Sequence, residues 1–342
     1  MKLSDFKFTV PEKLIAQYPP AKRGNSRLMV LHRDTQEIED REFKDFPSYL
    51  KKGDCVVVNE TKVFPARLVG VKDKTNAEVE IFLLRELEKD LWEVLVKPAR
   101  KVRVGNKIYV GANCTGEVVD NTISGGRVIR FYHNGDFIDV VRKVGRIPLP
   151  PYIKREPESI DKERYQSIFA KKEGAVAAST AALHFNKKIV KTIEAMGVQI
   201  VPVLLHVGLG TFRPVLVEDI TRHKMDSEYY EISEQSAAQI NRTVDSGGRI
   251  IAVGTTVVRA LESAALSEGH VKAQKGWTDK FIYPPYEFKV PHALLTNFHM
   301  PGSTLLFLVC AFGGKDFVLK AYRKAIRDKY RFYSYGDAML IL

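Results

Sequence analysis

Four stretches of the chain carry residue types at spacings able to do chemistry. The first runs from Arg249 through an apolar segment into Gly254, Thr255 and Thr256, then Val-Val-Arg259. A buried strand that turns through glycine into a helix places free backbone N–H groups at its carboxyl end, where open α/β sheets bind ligands. Thr255 and Thr256 can cap that helix or hold ligand oxygens, and Arg259 lies one turn in, with Glu262 three residues further on the same face. On these residues alone, plain helix capping with a helical salt bridge remains the simpler reading. The second stretch is Leu205-His206-Val207-Gly208-Leu209-Gly210-Thr211-Phe212. Its glycines permit a tight turn, but Arg213 breaks the GxGxxG dinucleotide pattern, and His206 taken singly reads as a satisfied core histidine.

The third stretch, Gly174 to His184, strings small residues together (Ala175, Ala177, Ala178, Ser179, Thr180, Ala181, Ala182) and ends on a histidine. It reads as a tightly packed loop before a helix. The fourth joins Asn297-Phe-His299-Met-Pro-Gly-Ser with Tyr330-Arg-Phe-Tyr333-Ser-Tyr335-Gly-Asp337. Aromatics beside Lys329 and Arg331 suit stacking on a nucleobase; a buried C-terminal aromatic strand is the alternative. No HExxH, GxSxG, P-loop or Cys/His metal spacing occurs, so metal, acyl-hydrolase and NTP chemistry are unsupported and no metal is expected.

Elements of two textures must position these stretches. Short strands are expected near Leu28–Leu31 and Cys55–Val58. From Val63 to Tyr132, short apolar runs (63–71, 79–84, 92–96, 107–110, 116–119, 127–132) alternate with turn residues, the pattern of a small antiparallel barrel or sandwich. A helix over 136–144 and an extended Ile147-Pro-Leu-Pro-Pro-Tyr152 linker close that segment. Thereafter helices are expected over 159–172, 186–196, 233–244, 257–267, 303–312 and 316–329, with apolar strands over 198–205 and 249–253. Alternating helix and strand implies an α/β layer with at least partly parallel pairing. The expectation is therefore a mixed-sheet α/β domain, residues 1–62 and 148–342, carrying an inserted small antiparallel β-barrel domain, residues 63–147.

Composition narrows the class. At 45% hydrophobic and 27% charged residues over 342 positions, the chain is globular, and the length suggests about two domains. No apolar run reaches the roughly 18 residues of a membrane span, and no signal peptide is evident. Cys55, Cys114 and Cys310 form no paired pattern, so a reduced, cytoplasmic protein is expected. Lys plus Arg numbers 53 against 41 Asp plus Glu, a net +12, which favours encounters with polyanions. Two basic patches stand out: Lys97, Arg100, Lys101, Arg103 and Lys107, and the seven basic residues between Lys315 and Arg331. Each patch alone is compatible with a solvated face.

Seven strings, in order along almost the whole chain, resemble the S-adenosylmethionine:tRNA ribosyltransferase-isomerase family of queuosine biosynthesis. They are Asn59-Glu-Thr-Lys-Val-Phe-Pro-Ala-Arg-Leu, Pro148-Leu-Pro-Pro-Tyr-Ile, Gly174-Ala-Val-Ala-Ala, His206-Val-Gly-Leu-Gly-Thr-Phe, Gly254-Thr-Thr-Val-Val-Arg, Thr296-Asn-Phe-His and Tyr330-Arg-Phe-Tyr-Ser-Tyr-Gly-Asp-Ala-Met. The chain departs from the family pattern at Ser179, Ala182 and Lys62, where proline, glycine and arginine are usual. The resemblance implies transfer and isomerisation of the ribosyl part of S-adenosylmethionine onto 7-aminomethyl-7-deazaguanine at the tRNA wobble position, giving epoxyqueuosine and releasing adenine and methionine. It implies S-adenosylmethionine as cosubstrate with no permanently bound cofactor, tRNA as partner, no membrane, and a monomer. Such chemistry needs a base for the proton beside the sulfonium, a donor to help adenine leave, attack by the tRNA amine, and epoxide closure as methionine departs.

His206 and His299, within the matched strings, and His184, in the same family motif as the Gly174 string, become the proton-shuttle candidates, histidine titrating near neutrality. His206 ranks first, as a strand-end ring followed by Gly-Leu-Gly. Arg259 is assigned electrostatic help to the methionine carboxylate or the departing adenine, since guanidinium stays charged. Substrate binding is expected at Thr180, Gly208, Gly210, Thr211, Gly254, Thr255, Thr256, Asn297, Tyr333, Tyr335 and Asp337. The tRNA is expected to touch Arg67, Lys97, Arg100, Lys101 and Arg103, and Arg323, Lys324 and Arg327 of the C-terminal helix. A non-catalytic RNA-binding protein and an S-adenosylmethionine methyltransferase are the competing readings. The first leaves the recurring strand-end sites unexplained, and the second lacks its glycine-rich loop.

Overall fold

The computed structural model describes residues 1–122, 125–208, 210 and 214–342. The chain forms two compact units, Met1–Lys62 with Pro150–Glu156 and Glu163–Leu342, and Val63–Leu149 with Pro157–Lys162. In chain order the strands are β1 (Arg27–His32), β2 (Glu37–Glu42), β3 (Cys55–Asn59), β4 (Thr61–Val63), β5 (Arg67–Lys72), β6 (Glu78–Glu88), β7 (Leu91–Lys97), β8 (Lys107–Val110), β9 (Cys114–Asn121) and β10 (Arg127–His133). After helices α1 (Phe137–Val144) and α2 (Ser159–Arg164) come β11 (Lys172–Ala175), α3 (Lys187–Ala195), β12 (Gln199–Leu205), β13 (Glu228–Ile232) and α4 (Glu234–Asp245). The chain ends through β14 (Ile250–Val253), α5 (Thr255–Ser263), β15 (Gln274–Thr278), β16 (Ala293–Asn297), α6 (Thr304–Gly313), α7 (Lys315–Arg327) and β17 (Ala338–Ile341).

The larger unit is built on a nine-stranded sheet of order β15-β13-β12-β3-β14-β16-β17-β1-β2. Its centre, β12, β3, β14 and β16, is parallel. Central parallel strands bury both faces and so read as unbroken apolar runs, as Val56-Val57-Val58 and Ile250-Ile251-Ala252-Val253 do. Successive residues of one strand point to opposite faces. Val57, Ala252 and Leu294 therefore join a core with Ile240, Leu261, Phe307 and Tyr322 from α4–α7. Their neighbours Val56, Ile251 and Leu295 join a second core with Phe43, Phe46, Phe185, Ile189 and Ile193. Beyond β12, β13 and β15 pair antiparallel; at the other end β17 runs antiparallel to β16, β1 parallel to β17, and β2 antiparallel to β1. The smaller unit holds a closed antiparallel barrel, β10-β7-β6-β5-β8-β9, with Val79, Ile81, Leu83 and Val94 facing inward.

Both architectures expected from the sequence are present, and several elements differ in detail. The helix expected over 159–172 stops at Arg164, because Arg23 takes the carbonyls of Glu163 (2.8 Å) and Gln166 (2.7 Å) that a continuing helix would need. The helix expected to reach Ser267 ends at Ser263, whose hydroxyl bonds back to the Arg259 carbonyl and across to Thr278. β2 has no apolar alternation and exists through its six-residue pairing with β1; charge suits an edge strand. The aromatic stretch 330–337 is irregular, and the terminal strand begins only at Ala338.

Helix caps are local. Asn186 accepts from the Ile189 N–H (2.9 Å) at the start of α3 and donates to the Arg23 carbonyl (2.9 Å). Asn186→Ala removes both bonds and is expected to cost about 1–2 kcal/mol. Urea unfolding should show a lowered midpoint at unchanged slope; an unchanged midpoint would refute the cap.

Candidate active-site cleft

At the carboxyl ends of β14 and β16 the larger unit opens into a cleft. Its walls come from local features of four segments. After β14 the chain turns at Gly254, whose φ of 95° lies in the region favouring glycine, and where a Cβ would sit 3.1 Å from the Ser179 hydroxyl. Gly254 offers no side chain to cap α5, so the first turn, with Thr255 and Thr256, presents itself to the cleft. The small-residue segment 177–181 packs alongside, its brevity letting the backbone approach. Thr296, Asn297 and His299 at the end of β16, and Tyr333 with Ser334, complete the lining.

Buried hydrogen bonds hold these groups. Thr256 Oγ1 lies 3.2 Å from Ser179 Oγ and 3.3 Å from Asn59 Nδ2. Asn297 donates to the Tyr333 carbonyl (2.9 Å), while its Oδ1 faces His184 Nε2 (3.2 Å). Since an amide oxygen only accepts, His184 carries its proton on Nε2 and accepts at Nδ1 from Ser26 Oγ, 2.7 Å away. Burial pushes its pKa down to about 4, so the ring is neutral at pH 7 and orients Asn297. His299 Nε2 is 2.8 Å from Thr296 Oγ1, and burial lowers its pKa to about 3. Tyr152 bonds Ser334 (2.6 Å) and its ring lies 4.8 Å from that of Tyr333.

Thr180, Gly254, Thr255, Thr256, Asn297, His299 and Tyr333 thus come together on the cleft. His184 sits behind it. His206 is not on the cleft lining; Val207 is. The His206 ring bonds Thr61 Oγ1 through Nδ1 (2.8 Å) and lies against Gly174, where a Cβ would come within 2.6 Å of it. Burial, reinforced by Lys172, lowers its pKa to about 4. Gly208 donates to Glu228 Oε1 (2.7 Å), and Gly210 sits against Asp226. Thr211 lies outside the described residues. Tyr335 is buried edge-on to Tyr165, and Asp337 accepts the N–H groups of Arg27 (2.9 Å) and Arg331 (2.8 Å), tying the C-terminal segment to β1.

Arg259 also points away from the cleft. It is 4% exposed, pairs with Glu228, and donates to the Lys280 (3.0 Å) and Thr278 (3.4 Å) carbonyls. Its guanidinium clamps β13 and β15 onto α5. Glu228 had no signal in the sequence, because only the pairing of β13 with β15 brings it under α5. Tyr152, Ser179 and Thr296 were equally unannounced as lining residues, although the matched strings contain Tyr152 and Thr296.

Among the basic candidates, Arg67 pairs with Glu80 (2.5 Å), Lys324 with Asp40 (2.5 Å) and Asp328 (2.6 Å), and Arg327 with Asp328 (3.0 Å). Lys97, Arg100, Lys101, Arg103 and Arg323 are exposed. Among the described residues, no group of three or more His, Cys, Asp or Glu could hold a metal, and no helix is long and apolar enough to cross a membrane.

The chain matches the family model for queuosine biosynthesis proteins over residues 3–341. It is 55% identical over 345 residues to an S-adenosylmethionine:tRNA ribosyltransferase-isomerase of Chloroherpeton thalassium, covering both chains fully. It is 54% identical over 348 residues to one of Cytophaga hutchinsonii, again covering both fully. A crystal structure of a Thermotoga maritima S-adenosylmethionine tRNA ribosyltransferase is similar at 37% identity and a TM-score of 0.56, over 99% of this chain and 100% of that one.

Removing one partner of a buried ion pair strands the other charge, typically at about 3–5 kcal/mol. Arg259→Leu and Glu228→Leu should each destabilise by about that amount, while the double variant should recover much of the loss. Denaturant unfolding of all three, with additive losses in the double variant, would show that the two side chains do not act as a pair.

Proposed function

The chain belongs to the S-adenosylmethionine:tRNA ribosyltransferase-isomerase family of queuosine biosynthesis, and from that premise we propose that the cleft at the ends of β14 and β16 is its active site. The enzyme transfers and isomerises the ribosyl moiety of S-adenosylmethionine onto 7-aminomethyl-7-deazaguanine in tRNA, giving epoxyqueuosine. The observation that carries the placement is the convergence on one cleft of an uncapped helix start, the hydroxyls of Thr180, Thr255 and Thr256, the Asn297 amide and a histidine. The hydroxyls and amide bind the ribose and adenine edges. The rings of Tyr152 and Tyr333 face the sulfonium by cation–π attraction.

His299 is the proton-handling group in this proposal, because it alone of the three candidate histidines lines the cleft. That reverses the order expected from the sequence, which put His206 first. The neutral His299 ring can accept the proton from the carbon beside the sulfonium and return one to the leaving adenine. His184 acts through Asn297 as a positioning residue, and Arg259 acts through Glu228. Exposed Lys97, Arg100, Lys101, Arg103 and Arg323 supply phosphate contacts for the tRNA.

His299→Asn is expected to lower adenine and methionine release by about 100- to 10,000-fold with tRNA affinity unchanged. Near-normal release would remove His299 from the chemistry. With its pKa near 3, His299 should add no limb to the pH profile of kcat/KM between pH 6 and 8.

Phosphate contacts release counterions, so each lost contact lowers the slope of log affinity against log salt by about 0.7–0.9. Arg100→Gln, Lys101→Gln and Arg103→Gln together should flatten that slope by about 2–3 while S-adenosylmethionine binding holds. An unchanged slope would make this run a solvated face.

A further inference from the structure

The edge of the large sheet carries a row of rings that the cleft chemistry does not use. In the register of β12, β13 and β15, Leu205 faces Tyr230 and Tyr229 faces Trp277. One residue past β12, His206 donates its N–H to the Tyr229 carbonyl (2.9 Å), so the row is His206, Tyr229, Trp277. The rings contact in sequence: His206 stacks at 5.9 Å on Tyr229, and Tyr229 meets Trp277 edge-on at 5.8 Å. Alternation along β13 buries Glu228, Tyr230 and Ile232 and leaves Tyr229 and Glu231 on the outer face. Trp277, the last ring, is 54% exposed on the edge strand, where tryptophan is a costly surface choice. Exposed Lys275 stands in the next row opposite Glu231, and Lys172 lies beside that row with its ammonium 3.1 Å from Glu231. The inner end of the row is one residue from Val207, which lines the cleft.

We propose that Trp277 and Tyr229, with His206 at the inner end, form a stacking platform for an unpaired nucleotide of the tRNA substrate next to the one whose base enters the cleft. This rests on the active-site reading above. A base drawn into the cleft so that its 7-aminomethyl amine can react leaves its stack, at a cost of a few kcal/mol. Its neighbour then loses a stacking partner. A row of rings whose inner end is one residue from the cleft-lining Val207 restores that stacking without reading sequence, since every base has a π-face, and Lys275 and Lys172 suit the flanking phosphates. A protein ligand would need an apolar patch rather than a single file of rings beside lysines.

The test is equilibrium binding of the precursor tRNA and of its isolated anticodon stem-loop to the full-length enzyme, with S-adenosylmethionine binding measured in parallel. Trp277→Ala is expected to weaken both RNAs by about 5- to 150-fold, the range for loss of one base–aromatic stack. Trp277→Phe should restore most of the affinity, Tyr229→Ala should weaken it again, and S-adenosylmethionine binding should not change. Stem-loop should also quench emission of the wild type, and Trp277→Phe should abolish that quenching; the other tryptophan, Trp92, is only 6% exposed. Wild-type affinity retained in Trp277→Ala and Tyr229→Ala overturns the platform and leaves the cleft assignment intact. Wild-type enzyme that neither binds the tRNA nor releases adenine overturns both.

Discussion

One buried amide holds the architecture of the site together. Asn59, fully buried at the end of β3, accepts from the Leu205 N–H (3.2 Å) and donates to the Leu205 carbonyl (2.8 Å), so its side chain bonds β12 as another residue's backbone would. The same oxygen accepts from Thr61 (3.0 Å), and the same nitrogen reaches Thr256 Oγ1 (3.3 Å). A buried amide left without partners is expensive, so β3, β12 and the start of α5 are locked at one point. Thr61 in turn bonds His206, and Thr256 faces the cleft. The ends of β3 and β12 and the start of α5 therefore keep fixed spacing through side-chain hydrogen bonds.

Around this point the unit separates stiff from reactive groups. Arg259 and Glu228 spend their charges on one another beneath α5, and Asp337 spends its carboxylate on backbone N–H groups. His184 is fully engaged between Ser26 and Asn297. Arg259 and Asp337 fall in the matched strings, yet their bonds are directed into the fold. The groups turned to the cleft are hydroxyls, an amide, tyrosines and one neutral imidazole. In the active-site reading proposed above, such a lining suits a cationic sulfonium, which a resident guanidinium would repel.

Two sides of the sheet end divide the labour around His206 and Val207. Alternate residues of an extended chain point to opposite faces, so Val207 faces the cleft and His206 the ring-bearing outer face. Gly174, with φ of 148°, lies flat against the His206 ring where any Cβ would collide with it.

Read by itself, the sequence determined the parts governed by neighbours along the chain. The apolar runs of the parallel strands, the barrel's short alternating runs, the helices expected over 186–196, 233–244 and 303–312, and the strand–glycine–helix turn at Gly254–Thr256 are all local patterns, and each is present in the structure. The matched strings likewise identified the family. Tertiary structure decided which motif residues face the cleft and which support it. Sequence spacing placed His184, His206, His299 and Arg259 at or near strand or helix ends but could not say which way each points. That direction depends on sheet register and on partners distant in sequence: Tyr229 and Thr61 for His206, Asn297 for His184, and Glu228 for Arg259. A one-residue change of register would turn each strand residue to the opposite face, and register is fixed only when the whole sheet packs.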